Sequence, residues 1–177
     1  MSDAPELESA VPHLATLLGE LIGSVLGEES IPILDGRRPV SPMGISHLIV
    51  HDVAADFYLA VEVRASVDLV SDLAAKLLGV PDPAPDDMLD VIAELGNIAA
   101  GNVKTLLCTN GRLSLPASAL LTHLADDPLG TVRAAADLLD HVLELVVMPL
   151  TRVDVTVTAA RWPGAPMTNV IQLANLN

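Results

Sequence analysis

The middle of the chain carries polar residues and glycines where a helix interior normally has Ala or Leu. The segment reads DVIAELGNIAAGN and spans residues 90–102. At about 3.6 residues per turn, spacings of i, i+4, i+7 and i+11 place Asp90, Glu94, Asn97 and Gly101 on one side of a helix. Asn in a helix interior costs roughly half a kcal/mol relative to Ala, and Gly about one. Such a conflict between residue type and helix tends to mark function or close packing.

Glu94 and Asn97 could support a hydrolysis in which water is the nucleophile. The sequence offers no Ser-His-Asp set, no phosphate-cradling glycine loop with a lysine and no Cys/His metal spacing. A carboxamide is a poor base, but it donates and accepts hydrogen bonds at once and can orient a water for in-line attack on phosphorus. Glu94 could pair with a lysine of an incoming partner. A solvated polar face with a few poor helix formers fits the same pattern, so the residues alone leave both interpretations open.

The opposite side of this helix is apolar and is predicted to face the core. Its residues are Ile92, Leu95, Ala99, Val103 and Leu106. Gly96 lies nearer this side, so close contact between helix and sheet is its simplest explanation. Asn102 lies off both faces.

The composition suits one domain with a core of small aliphatic side chains. The chain has 177 residues, of which 51% are hydrophobic and 2% aromatic. A chain of this length can bury a substantial core. The excess of apolar residues also suggests a further buried surface, such as a dimer or partner interface.

Charge and cysteine content predict a cytoplasmic protein that binds neither nucleic acid nor membrane. The formal net charge is −14, which repels nucleic acid and anionic lipid. The single cysteine, Cys108, fits a reducing compartment, and its apolar surroundings predict a buried, inert thiol. The acidic N-terminus lacks the basic region of a signal peptide, and no apolar run is expected to reach the length of a membrane span.

Helical and alternating patterns predict five elements before the central helix. A first helix, with Gly27 near its end, is followed by a strand stub and loop over residues 31–44. Two strands follow at 45–53 and 57–66, the second half-buried, with Leu59, Val61 and Val63 on one face. Ser66 is predicted to cap a helix that stops at Gly79.

The central helix is predicted to run over 88–109 and to be followed mainly by strands. Pro83 and Pro85 exclude helix from the segment before it, and Asp86 or Asp87 is predicted to be its N-cap. A strand over 111–121, which contains Pro116, and a loop over 122–130, which contains Asp126 and Asp127, are predicted next. A short helix is predicted at 131–139. The last predicted element is a hairpin that joins 141–152 to 152–162 and turns near 149–152.

A faint internal repeat relates the first helix to the central one. GELIGSVLGEE, from Gly19, resembles AELGNIAAGNV, from Ala93. Glu20 then aligns with Glu94, and Gly23 stands where Asn97 is. Each of the two halves would be a long helix followed by strands.

The central pattern resembles the active-site signature of the CheC/CheX/FliY phosphatase family. That signature is Asp or Ser, three residues, Glu, two residues, Asn and a later proline, and here it is met by Asp90, Glu94, Asn97 and Pro116, with Gly101 and Asn102 following Asn97. The element order resembles the family to about Arg161, whereas the specific motif covers only Asp90 to Asn102. Pro116 comes a few residues earlier than the family's proline, and residues 122–140 match nothing in it.

The resemblance implies a fold and a domain organisation. It implies an α/β (α+β) architecture, with a large antiparallel sheet packed by long helices and pseudo-twofold halves. We therefore expect a single CheX-like domain over residues 1–177. Its halves are about 5–80 and about 86–161, followed by a tail at 162–177.

The resemblance also implies an enzyme whose substrate is another protein, the phosphorylated aspartate of a CheY-like response-regulator receiver domain. Asn97 would orient the hydrolytic water and Glu94 would pair with the receiver's lysine, with Asp90, Gly101 and Asn102 as supporting or partner contacts. Magnesium would belong to the receiver, so no cofactor of its own is expected.

A single intact motif is closest to the CheX-like members of the family, which implies a homodimer. Gly23 would leave the first half inactive. The alternative within the family is a non-catalytic CheC/FliM-like interaction module. An alternative outside it is a metal or small-molecule site at His47 and His51, which share a strand face near Asp52 and Asp56.

Overall fold

The computed structural model describes residues 7–33, 38–122 and 126–150. They form three α-helices, one π-helical turn and seven strands. The helices are α1 (Leu7–Leu21), α2 (Val67–Leu78) and α3 (Pro85–Leu107), and the π-helical turn is Ile22–Leu26. The strands are β1 (Ile31–Pro32), β2 (Met43–Asp52), β3 (Phe57–Ser66), β4 (Gly111–Leu113), β5 (Ala117–Leu121), β6 (Val132–Leu138) and β7 (His141–Leu150).

All seven strands belong to one antiparallel sheet. Its order is β1-β6-β7-β3-β2-β4, and β5 also pairs with β2, beside β4. Leu48 of β2 pairs with Val61 of β3, which pairs with Val147 of β7. The three longest strands therefore lie side by side in the middle of the sheet. The predicted antiparallel sheet packed by long helices is confirmed.

One face of the sheet and the three helices share the main core. Because side chains alternate along a strand, every second residue of β2, β3 and β7 points toward the helices. The sheet contributes Leu48, Val50, Leu59, Val61, Val63, Leu143, Leu145 and Val147, and the helices contribute Leu14, Leu18, Leu69, Leu73, Ile92 and Leu95. Fully burying each such side chain is worth about 1.5–3 kcal/mol, so this face holds the helices in place.

The prediction that β3 is half-buried is wrong, because both of its faces are buried. Glu62 and Arg64 point away from the helices, yet they are only 6% and 2% exposed. Alternation of apolar and charged residues usually indicates a solvated face, but these two charges are compensated by ion pairs inside the protein.

The caps of α2 are confirmed, and the start of α3 is corrected. The hydroxyl of Ser66 accepts a hydrogen bond from the Leu69 N–H, and Gly79 adopts the left-handed conformation that ends α2. Helix α3 begins at Pro85 rather than at residue 88, because proline is favourable at the first helical position. Neither Asp86 nor Asp87 is the N-cap. Instead, Asp87 accepts a hydrogen bond from the N–H of Ala84, the N-cap residue, at 2.8 Å.

The short helix predicted at 131–139 is wrong. These residues form strand β6, in which Val132, Ala134, Ala136 and Leu138 alternate with less buried neighbours. Pairing with β7 outweighs the helix propensity of the three consecutive alanines.

The hairpin turn predicted near 149–152 is also wrong. Strand β7 continues to Leu150, and the hairpin instead joins β6 to β7 through Leu139 and Asp140, which both have positive φ. Two such residues match the twist of the flanking strands. The second predicted arm, 152–162, and the tail at 162–177 lie outside the described residues.

Pro116 interrupts the strand predicted over 111–121. Strands β4 and β5 both pair with β2, and Pro116 lies in the gap between them. This placement follows from the missing N–H of proline, which cannot contribute to a ladder of hydrogen bonds.

One helical segment, Leu7–Leu26, is long and apolar enough by length and composition to cross a membrane. The expectation that no stretch reaches this length is therefore wrong. The segment buries one face, including Leu14, Leu18, Leu21 and Ile22, in the core shared with the sheet. This is how an amphipathic core helix packs. The division into two halves stays a prediction.

Candidate functional site

The apolar side of α3 fastens the helix to the sheet. Ile92, Leu95, Ala99 and Val103 are at most 3% exposed, as the spacing predicts. Leu106 is an exception, because it is 39% exposed. It lies in the last turn of α3, one residue before the helix ends.

Gly96 allows α3 to lie close to β2. A Cβ added there would lie 2.6 Å from the Cβ of Ser46 and closer still to its hydroxyl oxygen. Real side-chain carbons do not approach to that distance, so only glycine fits without movement. This confirms that packing explains Gly96, one of the two glycines inside the central segment.

The polar side of α3 faces outward. Asp90, Glu94 and Asn97 are exposed, and Gly101 is partly exposed. Neither Glu94 nor Asn97 forms a side-chain hydrogen bond or ion pair with any residue that the structure describes. Both side chains are therefore available to a partner, and they project together from a helix whose other face is fixed.

Asn102 and Lys104 do not complete this outward pair. Asn102 is partly exposed and lies off the face of Glu94 and Asn97. The aliphatic stem of Lys104 lies against Gly111, where a Cβ would collide with it. Lys104 thus leans toward β4 rather than toward Asn97.

Asp52 anchors the far end of α3, a role that the sequence did not reveal. One carboxylate oxygen accepts hydrogen bonds from the N–H groups of Thr109 and Asn110, at 2.7 and 3.3 Å. The other accepts from Ala54 and Ala55 in the turn after β2, at 2.8 and 3.0 Å. Burial raises the pKa of Asp52, but these four backbone hydrogen bonds outweigh it, and its pKa lies below the ordinary value.

The two strand histidines are buried among other partners instead of forming a metal site. The Nδ1 atom of His47 lies 2.7 Å from Oε1 of Glu62. The ring of His51 stacks on Tyr58 with centroids 4.2 Å apart. In the described part of the chain, no group of three or more His, Cys, Asp or Glu side chains could hold a metal ion.

Arginines converge on Asp127 and fasten its loop to the sheet. Arg64 donates to Asp127 at 2.7 Å, and Arg133 donates to it at 2.6 Å. Arg38 adds a third hydrogen bond at 3.0 Å. Burial raises the pKa of Asp127, but Arg64, followed by Arg133 and Arg38, lowers it below its ordinary value. Asp127 lies in a loop, as predicted, and it accepts hydrogen bonds from three arginines.

The same cluster extends into the sheet through Glu62 and Glu144. The Nε atom of Arg64 donates to Glu62 at 2.7 Å. Burial raises the pKa of Glu62, but His47 and Arg64 outweigh it and lower that pKa. For Glu144, burial prevails over the nearby arginines and raises the pKa. This cluster gives residues 126–133 a structural role that no motif indicated.

Cys108 is less buried than predicted but has the chemistry of an inert thiol. It is partly exposed just after α3. Burial, together with the charge of Asp52, raises its pKa to about 11. The thiolate that a reactive cysteine needs is therefore scarce at neutral pH.

The first helix does not reproduce the geometry of α3 at the aligned positions. Glu20 and Gly23 are both exposed. The chain turns into a π-helix at Ile22–Leu26, and the Ser24 hydroxyl donates to the Glu20 carbonyl at 2.6 Å. Residue 23 consequently does not stand one α-helical turn from Glu20 in the way Asn97 stands from Glu94.

No family model and no curated protein matches the sequence, but solved structures do. The chemotaxis protein CheX of Vibrio vulnificus superposes with a TM-score of 0.66 at 10% identity, over 80% of this chain and 99% of that one. CheX of Borrelia burgdorferi, solved in a complex with CheY, BeF3 and Mg2+, gives 0.61 at 14% identity, over 85% and 100%. The FliM middle domain of Vibrio alginolyticus gives 0.55 at 13% identity, over 82% and 94%.

At these identities the similarity lies in the arrangement of the elements in space, and it covers nearly all of each solved chain. CheC-like and FliY structures are matched as well. The chain therefore has the fold of the CheC, CheX and FliY proteins.

Proposed function

We propose that this protein is a phosphatase that hydrolyses the aspartyl phosphate of a CheY-like receiver domain. The observation that carries the proposal is that Glu94 and Asn97 stand together on one face of α3. Both are exposed on one face of α3, and neither is engaged by another described residue. The fold supports it, and so does the solved complex of a CheX with CheY, BeF3 and Mg2+.

Asn97 would position the nucleophile. Its carboxamide accepts a hydrogen bond from a water while its NH2 group donates to the phosphoryl oxygens. The water oxygen attacks phosphorus in line, the bond from phosphorus to the receiver's aspartyl oxygen breaks, and the water proton leaves with inorganic phosphate. Because the amide does not titrate, this positioning would not depend on pH near neutrality.

Glu94 would orient the receiver by pairing with its lysine. The chain has nine Lys and Arg against 23 Asp and Glu, so a basic group on the partner meets a favourable field. The magnesium ion that balances the phosphoryl charge would come with the receiver. We accordingly expect a protein without a cofactor of its own.

The proposed cellular location and signalling pathway are based on the same fold. The solved relatives include chemotaxis proteins, and we propose a soluble, cytoplasmic chemotaxis or two-component protein. We also propose a homodimer, since the apolar excess of the sequence would then be partly covered by a second copy.

The test is the lifetime of a phosphorylated receiver. A panel of CheY-like receivers is phosphorylated with a small acyl phosphate donor, and phosphate release is followed with and without this protein. We expect one receiver to lose phosphate faster, and Asn97→Ala to reduce that acceleration about a hundredfold, the usual effect of removing one positioned hydrogen-bonding group. Asn110→Ala, a change of the same chemistry at an exposed loop residue, is the matched control.

The second candidate is a non-catalytic interaction module. The FliM middle domain has the same fold, so the fold does not by itself imply hydrolysis. A receiver that binds but keeps its normal phosphate lifetime would favour this candidate over the phosphatase.

A further inference from the structure

Gly101 is a glycine that the fold of this chain does not require. It lies inside α3, and a Cβ added to it would meet nothing within 4 Å. By contrast, Gly96 is held against Ser46, and Gly79 has the positive φ that favours glycine. Packing and backbone conformation therefore both leave Gly101 unexplained, although glycine weakens a helix at this position.

The surface at Gly101 is bare main chain beside Asn97. Gly101 follows Asn97 by four positions, so the two stand about one helical turn, ~6 Å, apart along the same outward side. The carbonyl oxygen of Gly101 also accepts a hydrogen bond from the Thr105 hydroxyl at 3.0 Å. What remains accessible is a flat patch with no side chain and a carbonyl that already has partners.

A flat patch is what the short side chain of Asn97 needs. Its carboxamide reaches only two bonds beyond its own Cβ, so it can contact a water on the phosphorus atom only if the helix backbone comes close to the receiver. A side chain one turn away on the same side would set a minimum distance between the two proteins. Glycine removes that limit.

We infer that Gly101 is the point of closest approach, where the main chain beside the receiver's phosphorylated aspartate lies against α3. This inference rests on the proposed function and deepens it. Gly101 thereby selects partners whose main chain is accessible at that point. Only complexes that reach this close approach are productive, and within them the position of Asn97 does not change. A side chain at residue 101 therefore makes the productive complex weaker, which raises KM and leaves kcat nearly unchanged.

Gly23 provides a matched control. It is an exposed glycine within the first helical segment, and an added Cβ there also meets nothing within 4 Å. Four variants are compared, Gly101→Ala, Gly101→Leu, Gly23→Ala and Gly23→Leu. Thermal unfolding comes first. We expect Gly101→Ala to unfold at the wild-type temperature or up to about 2–4 °C above it, because alanine favours the helix.

Two measurements then follow on the receiver that the protein dephosphorylates or binds best. We expect Gly101→Ala to lower kcat/KM about tenfold, mainly through KM, with a larger loss for Gly101→Leu. The Kd for the same receiver loaded with beryllofluoride and Mg2+ should rise by a similar factor. Both Gly23 variants should match the wild type.

The outcomes separate this inference from the proposed function. If the wild type is active and the Gly101 variants behave like the Gly23 variants, the inference is overturned and the phosphatase stands. If the wild type only binds, the phosphatase fails, and the Kd comparison alone decides the role of Gly101. A wild type that neither binds nor dephosphorylates any receiver overturns both. A Gly101→Ala variant that loses kcat instead of raising KM also overturns the inference.

Discussion

Ser46 of β2 lies directly beneath Gly96 of α3, and the pair sets how closely the helix approaches the sheet. A single added carbon on Gly96 would lie 2.6 Å from the Ser46 Cβ. The residues on either side of Gly96 are Leu95, which is buried, and Asn97, which is exposed. The contact therefore fixes the distance between the sheet and the turn of α3 that carries Asn97.

Gly96→Ala should destabilise the protein by about 1–3 kcal/mol, because the extra methyl group has no room and the helix must shift. Urea unfolding measures the change. Gly101→Ala is the control, because the same substitution meets no neighbour there. Equal stabilities for the two variants would contradict the close contact.

Glu94→Gln should lower kcat/KM for the receiver roughly tenfold to a hundredfold, equivalent to ~1.4–2.8 kcal/mol of lost interaction with the receiver's lysine. The salt dependence of kcat/KM should weaken as well, because one charge pair is lost. Steady-state kinetics at several ionic strengths provide the measurement. Glu20→Gln on α1, at an exposed glutamate, should leave both quantities unchanged.

Gly23→Asn should fail to rescue the phosphatase activity lost in Asn97→Ala. Although the substitution restores the spacing of Glu and Asn in the sequence, the π-helical turn at Ile22–Leu26 displaces residue 23 from the geometry that α3 provides. Phosphate release from the same receiver measures this. Recovery of even a tenth of the wild-type acceleration would contradict it.

Asp52→Asn should cost about 1–3 kcal/mol of stability at pH 7, because the new NH2 group faces N–H donors that now lack an acceptor. The pKa of Asp52 is lowered in the folded state, so its contribution is present above the unfolded-state pKa and is lost as pH falls through the folded-state value. The difference between variant and wild type should therefore shrink below pH ~4. Chemical unfolding at pH 7 and at lower pH provides the comparison, with Asp82→Asn, an exposed aspartate, as control.

Arg64→Met should destabilise the protein by about 3–5 kcal/mol, because it removes the main partner of the Asp127 carboxylate and one of the two partners of the buried Glu62 carboxylate. The lowered pKa values of both carboxylates show that the fold holds them ionised, so part of this cost should disappear as acid protonates them. Urea unfolding across pH tests both statements. Arg112→Met, at an exposed arginine, should change stability little.

The sequence predicts those parts of the protein in which local pattern and tertiary structure agree. The buried positions Ile92, Leu95, Ala99 and Val103 of α3 follow from helical spacing, and Ser66 and Gly79 bound α2 as their residue types indicate. These features depend on contacts within a few residues along the chain, where propensity and periodicity are informative.

The predictions from sequence are wrong where contacts between residues far apart in the chain determine the secondary structure or the burial. Ala134 and Ala136 favour a helix locally, but β7 recruits them into a strand. The local pattern predicts that Arg64 is solvated, but Arg64 donates a hydrogen bond to Asp127, which lies 63 residues away in the chain. Neither contact leaves a periodic mark in its own segment, so the sequence could indicate the outward pair on α3 but not the charge cluster on the sheet.

The carboxylate of Asp52 joins two loops that lie far apart in the chain. It binds Ala54 in the turn after its own strand and Thr109, 57 residues later, after α3. Neither loop can open while the shared acceptor stays in place. The amide hydrogens of Ala54, Ala55, Thr109 and Asn110 should therefore exchange with solvent at a common rate, as one cooperative opening unit at the end of the helix that carries Asn97.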